Sequence, residues 1–168
     1  LALTPWLNHS WHATLYVDAR GLTTSLIPYA ASAFEIAFDF IDRELVIRAG
    51  AGGTRRLKLE PQTVAEFHGR LMAALERFGI KVEIDRMPNE VADPIRFDLD
   101  LRHAAYDAGY ARRFWEVLVQ CDRVFKRFRT GYLGKCSPVH LFWGSMDLAV
   151  TRFSGRRAPQ HPGGVPGL

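Results

Sequence analysis

The sequence is poor in cysteine: Cys121 and Cys136 are the only two in 168 residues. That excludes a disulfide framework and makes a reducing, cytoplasmic setting the default expectation. Long apolar runs are also missing. No stretch approaches the roughly 20 residues a membrane-crossing helix needs, so no membrane partner is expected. There is no CxxC, no HExxH and no other standard metal spacing. Acidic residues are scarce in one region only. Residues 1–111 hold 12 Lys/Arg and 15 Asp/Glu, whereas residues 112–168 hold 10 and 3. A basic C-terminal third suits an anionic ligand or nucleic acid. The plainer account is a solvated helix face whose charges alternate with core positions.

What is present is globular. Hydrophobic residues make up 48% and charged residues 24%, enough to bury a real core in one domain spanning residues 1–168. The first sixty residues read as β. In "WHATLYV", Trp11, Ala13, Leu15 and Val17 alternate with polar neighbours, the period of a half-buried strand. "LTTSLIPY", "FEIAFDF", "IDRELVIR" and "RRLKLE" continue as strands and hairpins. The period then lengthens. Val64, Phe67, Leu71, Ala74, Leu75 and Phe78 form one helical stripe, with Pro61 near its start and Gly79 past its end. "IKVEI" reads as a short strand and residues 88–106 as a long ordered connection. A second helix, capped by Asp107, has a buried stripe of Tyr110, Phe114, Val117, Leu118, Cys121, Val124, Phe125 and Phe128. Residues 154–168 form a Pro/Gly-rich loop. The expected class is α+β: antiparallel β-hairpins, with two main helices covering a sheet face.

Chemistry concentrates in "GKCSPVHLFWGSMDL", residues 134–148. Gly144-Ser145 between two apolar runs signals a two-residue hairpin. That register sets Phe142 opposite Asp147 and His140 opposite Ala149. Val139, Leu141, Trp143, Met146, Leu148 and Val150 then form a core face, and Cys136, His140 and Asp147 share the other. A single long strand with a bulge at Gly144 is the competing geometry. A Cys136–His140 nucleophile is disfavoured, because four strand positions span about 13 Å. His140 as acid/base with Asp147 orienting it is the better catalytic pair. "GYLGKCS" lacks the phosphate-loop spacing, although Lys135 and nearby backbone N–H groups can still meet an anion. Arg152, Arg156 and Arg157 can clamp a carboxylate or phosphate. His9 and His12 in "NHSWH" are further contributors. Three imidazoles among these, His103, His140 and His161 would be needed for a metal, and no spacing brings them together.

"NHSWHATLYVDARGLTTSLIPY", "FEIAFDFIDRELVIR", "FWEVLVQCDRVFKRFR" and "GKCSPVHLFWGSMDLAVTRFSGRRAPQHPGG" together make the chain resemble an uncharacterised, mainly bacterial family, domain of unknown function 5996. The resemblance runs nearly the full length and implies no reaction, cofactor or partner. It does imply a fragment, since members of that family look longer at both ends.

The leading expectation is a cytoplasmic protein that binds a small anionic molecule. Its ligand contacts would be Lys135, Arg152, Arg156, Arg157, His9 and His12. If it is an enzyme, His140 is the acid/base and Asp147 its orienter. The alternatives are a nucleic-acid-binding module using the basic C-terminal third and a non-catalytic interaction scaffold. No residue pattern decides between enzyme and binding protein, names a cofactor or sets the oligomeric state.

Overall fold

The computed structural model describes residues 3–89, 91–143, 145–157 and 159. The alternating segments form β1 (Tyr16–Val17), β2 (Gly21–Thr23), β3 (Ile27–Tyr29), β4 (Ser32–Asp39), β5 (Glu44–Ala49) and β6 (Thr54–Lys58). They pair antiparallel in the order β1-β2-β4-β5-β6, with β3 also on β4. β2 and β3 are two pieces of one interrupted strand. Leu22 opposes Phe38 but Ile27 opposes Phe34, so one extra residue is absorbed between them, where Ser25 has φ 59. β2 lies so close to β4 that a Cβ on Gly21 would stand 1.8 Å from the Phe38 carbonyl oxygen. Only glycine fits there.

The register lines up Leu22, Phe38, Leu45 and Leu57 across one face, with Ile36 beside Ile47. Two helices cover that face. α1 (Val64–Glu76) opens with a capping box: the Thr63 hydroxyl accepts from the Glu66 N–H, and the Glu66 carboxylate accepts from the Thr63 N–H. Its Ala74 and Leu75 pack on Phe34, Ile47 and Ile80. α2 (Ala108–Thr130) is capped by the Asp107 side chain, which accepts from the Tyr110 N–H at 2.8 Å. Its Leu118 packs with Leu22 and Leu141, and the Trp115 indole donates to the Asp18 carbonyl. The opposite face of the sheet is charged. Glu35 pairs with Arg48 and Glu44 with Arg56, and Val46, opposite Ala37 and Arg56 on that face, is buried.

β7 (His140–Phe142) and β8 (Asp147–Ala149) form the expected hairpin, with Phe142 opposite Asp147 and His140 opposite Ala149. Gly144 lies outside the described residues. Leu15 and Leu141 exchange backbone hydrogen bonds of 3.0 and 2.8 Å, which joins this hairpin to the end of the larger sheet. The fold class is α+β, as the sequence indicates.

Three local expectations are corrected. Residues 11–13 are not strand: Asn8–Ala13 is a 3-10 segment in which His9 and Ser10 take left-handed angles, and β structure starts only after it. Residues 80–84 form no strand. The buried side of α2 is also rotated from the predicted stripe. Leu118 and Asp122 are buried, while Tyr110, Phe114, Val117, Val124 and Phe128 are exposed. Anchoring Trp115 on Asp18 turns the helix so that the 115-118-122 side meets the sheet.

Two buried carboxylates hold the turns. Asp39 takes the Arg20 guanidinium at 2.5 Å and the N–H groups of Ile41 and Asp42. Asp100 takes the N–H groups of Arg102 and His103 and the His103 imidazole. The carbonyls of Asp100 and His103 accept the first N–H groups of α1. Burial alone would raise both carboxyl pKa values. Hydrogen bonds from Arg20, Asp42 and Ile41 hold Asp39 below the ordinary carboxylate value, and those from His103 and Arg102 do the same for Asp100. A depressed folded-state pKa supplies stability that is complete above the unfolded carboxylate value and is lost as pH falls through the folded one. Asp39→Asn is expected to lower unfolding free energy by about 1–3 kcal/mol at neutral pH. In urea denaturation the gap from the parent protein should close as pH drops below the carboxylate range. A gap that persists there would mean that the ionised form is not what stabilises the turn.

Candidate ligand-binding site

Beyond β7 and β8 the two chains stay paired. Ser137 N–H donates to the Thr151 carbonyl, Phe153 N–H donates to the Lys135 carbonyl, and Cys136 bridges to Arg152. The register there differs by one residue from that of the hairpin, so Pro138 and Val139 together oppose Val150 in a β-bulge. The bulge decides the faces. Leu141 and Leu148 point to α2, as do Cys136 and Arg152, the latter with its guanidinium over the Phe128 ring at 3.6 Å. Lys135, His140 and Phe153 take the outer side. Cys136 and His140 are therefore on opposite faces, which removes the shared face expected for them.

The outer side is covered by the 3-10 segment. His9 has φ 63 and ψ 20, and Ser10 has φ 55 and ψ 25. Two consecutive left-handed residues without glycine cost on the order of 1–3 kcal/mol each. They turn the chain so that the His9 ring lies 4.9 Å from Trp11 and 5.1 Å from Phe153. Trp11 meets Phe153 at 6.0 Å and His140 at 6.4 Å. The Lys135 ammonium sits 5.0 Å from the Phe153 centroid and 5.8 Å from that of Trp11. Among the described residues no carboxylate pairs with it. Lys135 and His9 are exposed, Trp11 and Phe153 half-buried, and His140 buried. The result is an exposed cation and an imidazole edge over two aromatic walls.

The remaining sequence candidates divide. The hairpin register puts His140 and Asp147 on the same face, but the imidazole is held by the Pro138 carbonyl, 2.9 Å from Nδ1. That contact makes Nδ1 the donor and leaves Nε2 as the acceptor. Asp147 is exposed at the end of β8 and has no bond to the ring. His12 turns back on Leu7, whose N–H donates to Nδ1 at 3.2 Å, and packs on Trp6. Arg152 lies on the other face at the C-terminal end of α2, where Phe128 and Tyr132 hold its guanidinium and the helix dipole favours a cation. Arg156 and Arg157 are exposed in the following loop, and His161 lies outside the described residues. Among the described residues no group of three or more His, Cys, Asp or Glu is placed to hold a metal ion.

Sequence reasoning missed the walls. The alternation puts Trp11 on the apolar side of a half-buried strand, and no pattern marks Phe153. One signal was available: His is one of the few non-glycine residues enriched at left-handed angles, so "NHS" could have been read as a turn. It also missed the Asp100–His103 pair, the closest carboxylate–imidazole contact in the described structure at 2.7 Å. The spacing D-x-x-H gives that pair a local reason, and its bonds are spent closing the turn before α1. Two shallow depressions lie elsewhere, one of about 260 Å³ beside Ile84 and Arg96 and one of about 470 Å³ between Glu60 and Arg70.

Compared with known proteins, residues 1–168 match the model of a protein family described as "Family of unknown function (DUF5996)". No curated protein and no solved structure matches the chain.

The Pro138 contact has a measurable consequence. In alkaline buffer, where the imidazoles are neutral, long-range nitrogen–proton spectra should show His140 as the Nδ1–H tautomer. Asp147→Asn should leave that pattern unchanged. A shift of the tautomer on that substitution would mean that Asp147, and not the Pro138 carbonyl, orients the ring.

Proposed function

The chain belongs to the family of unknown function DUF5996, and within it we propose a binding role: the protein captures a small anionic molecule on the outer face of the β7–β8 ribbon. Lys135 carries this reading. Its ammonium lies over the Phe153 and Trp11 rings without a carboxylate partner among the described residues. Three other cations of the C-terminal third have different employment. Arg112 pairs with Glu116 and Lys126 with Asp122, and Arg152 is stacked on Phe128.

A carboxylate or phosphate would take its charge from Lys135 and a hydrogen bond from His9, while a flat apolar portion rests on Trp11 and Phe153. Arg156 and Arg157 follow Phe153 in sequence and add positive charge near the mouth. If the bound molecule reacts, His140 is the acid/base of this reading, its ring edge-on to Trp11, while Asp147, exposed at the hairpin tip, would reach the bound molecule and not the imidazole. The reading sets the protein in a reducing cytoplasm, where Cys121 and Cys136, both free thiols, stay reduced. No helix among the described residues is long and apolar enough to cross a membrane.

Native mass spectrometry of the purified protein, followed by calorimetric titration with AMP, benzoate and inorganic phosphate, tests the proposal. At least one ring-bearing anion should bind more tightly than phosphate. Lys135→Ala should weaken it about tenfold, ~1.4 kcal/mol, and Lys135→Arg should restore most of the loss. Affinity indifferent to Lys135, or no binding of any of the three, would remove the reading.

A further inference from the structure

α2 carries a second apolar stripe that the fold leaves uncovered. Tyr110, Phe114, Val117, Val124 and Phe128 are 69%, 42%, 59%, 64% and 47% exposed. With the half-buried Cys121 they follow one another at steps of 4, 3, 4, 3 and 4 residues, the seam spacing of helices that pack side by side. From Tyr110 to Phe128 the stripe covers 18 residue steps, about 27 Å at 1.5 Å per residue. One flank of it is the side that packs on the sheet. The other is exposed and carries Arg113 and Arg127 on either side of Gln120, at seven-residue intervals. Each end of the stripe also holds an arginine on an aromatic ring, Arg113 over Tyr110 at 4.4 Å and Arg152 over Phe128 at 3.6 Å. No carboxylate pairs with Arg113, Arg127 or Arg152 among the described residues.

We propose that this stripe docks an amphipathic helix of a partner protein whose flanking positions are acidic. The seam spacing selects a helix, because knobs at 3- and 4-residue steps interlock with the same steps on the facing surface. Charge selects acidity. Asp or Glu at seven-residue intervals on the partner would meet Arg113 and Arg127 across the rim. The same charges oppose a second copy of this chain, since an antiparallel pairing through the stripe would set Arg113 against Arg127. This surface shares no residue with the Lys135 site and does not depend on it.

The test uses the whole chain and two synthetic 21-residue helical peptides with leucine at the seam positions. One carries glutamate on both flanks and the other lysine. Fluorescence anisotropy should show the glutamate peptide binding at least tenfold more tightly than the lysine peptide. The preference should shrink in high salt. Val117→Asp lies on an exposed position at the middle of the stripe and should weaken binding at least tenfold while leaving the thermal unfolding midpoint in place. The double variant Arg113→Glu/Arg127→Glu should reverse the preference between peptides. Equal affinity for the two peptides, or none for either, overturns the proposal. So does self-association in sedimentation that Val117→Asp abolishes. Binding to phosphatidylserine vesicles in place of the peptide would assign the stripe to a lipid surface instead.

Discussion

Leu15 and Leu141 exchange both backbone hydrogen bonds, with the Leu141 side chain fully buried against Leu22 and Leu118. This pairing joins residues 126 positions apart. It makes the β7–β8 ribbon a continuation of the sheet, and it fixes two things at once. On the inner face it gives α2 a floor of Leu15, Leu22, Leu141 and Leu148. On the outer face it delivers the 3-10 segment, which leads into Leu15, onto the ribbon beside His140. The Trp143 indole reinforces the seam by donating to the Ala13 carbonyl at 2.7 Å. Without the pairing, His9, Trp11, Lys135 and Phe153 have no common surface.

The strain at His9 and Ser10 is then intelligible as a consequence. The chain must cross the outer face and enter a strand whose register is already set by Leu141. A regular strand from residue 11, as the alternation suggests, would point Trp11 and Ala13 to the inner side with Leu15. The left-handed pair instead turns the segment and brings Trp11 over Phe153 and His140. Several aromatic contacts of about 0.5–1.5 kcal/mol each and the buried Thr14, whose hydroxyl bonds to the Trp11 carbonyl, offset a cost of the same size. A segment balanced this closely is held in place by its neighbours more than by its own preferences.

Sequence periodicity was sufficient where one physical requirement dominates. The alternation of Phe34, Ile36 and Phe38 requires a single buried face, and Thr63 with Glu66 can satisfy the end of α1 without any distant help. The hairpin register around Phe142 and Asp147 followed from turn length alone. The failures come where two requirements compete. α2 is apolar over a wider arc than one sheet can cover, so periodicity could not say which part is buried. A hydrogen bond from Trp115 to Asp18, 97 positions apart, makes that choice. The bulge at Pro138–Val139 is likewise invisible to a strict period of two, and it is what separates Cys136 from His140. The imidazole of His140 found a carbonyl two residues away before it found a carboxylate across the hairpin, because a local partner costs less chain entropy to hold.

The basic C-terminal third looks like one feature in the sequence and is several in the structure. Arg112 and Lys126 are neutralised one helical turn away by Glu116 and Asp122, which leaves them little to offer a ligand. Arg152 sits at the negative end of the α2 dipole and on the Phe128 ring, where removing it would expose the ring and leave the helix end without its cation. Arg113 stacks on Tyr110 of its own helix, and Arg127 follows it two heptads on along the same flank. Lys135 alone faces the outer wall of Trp11 and Phe153. Since the β-bulge places Lys135 and Arg152 on opposite sides of the same ribbon, no single anion reaches both. The net charge of the region therefore overstates any one site. Under the proposed reading, an anion at the outer face would be held by one lysine, an imidazole and two ring faces. Such a site has modest electrostatic pull, and it gains selectivity from the shape of what rests on the rings.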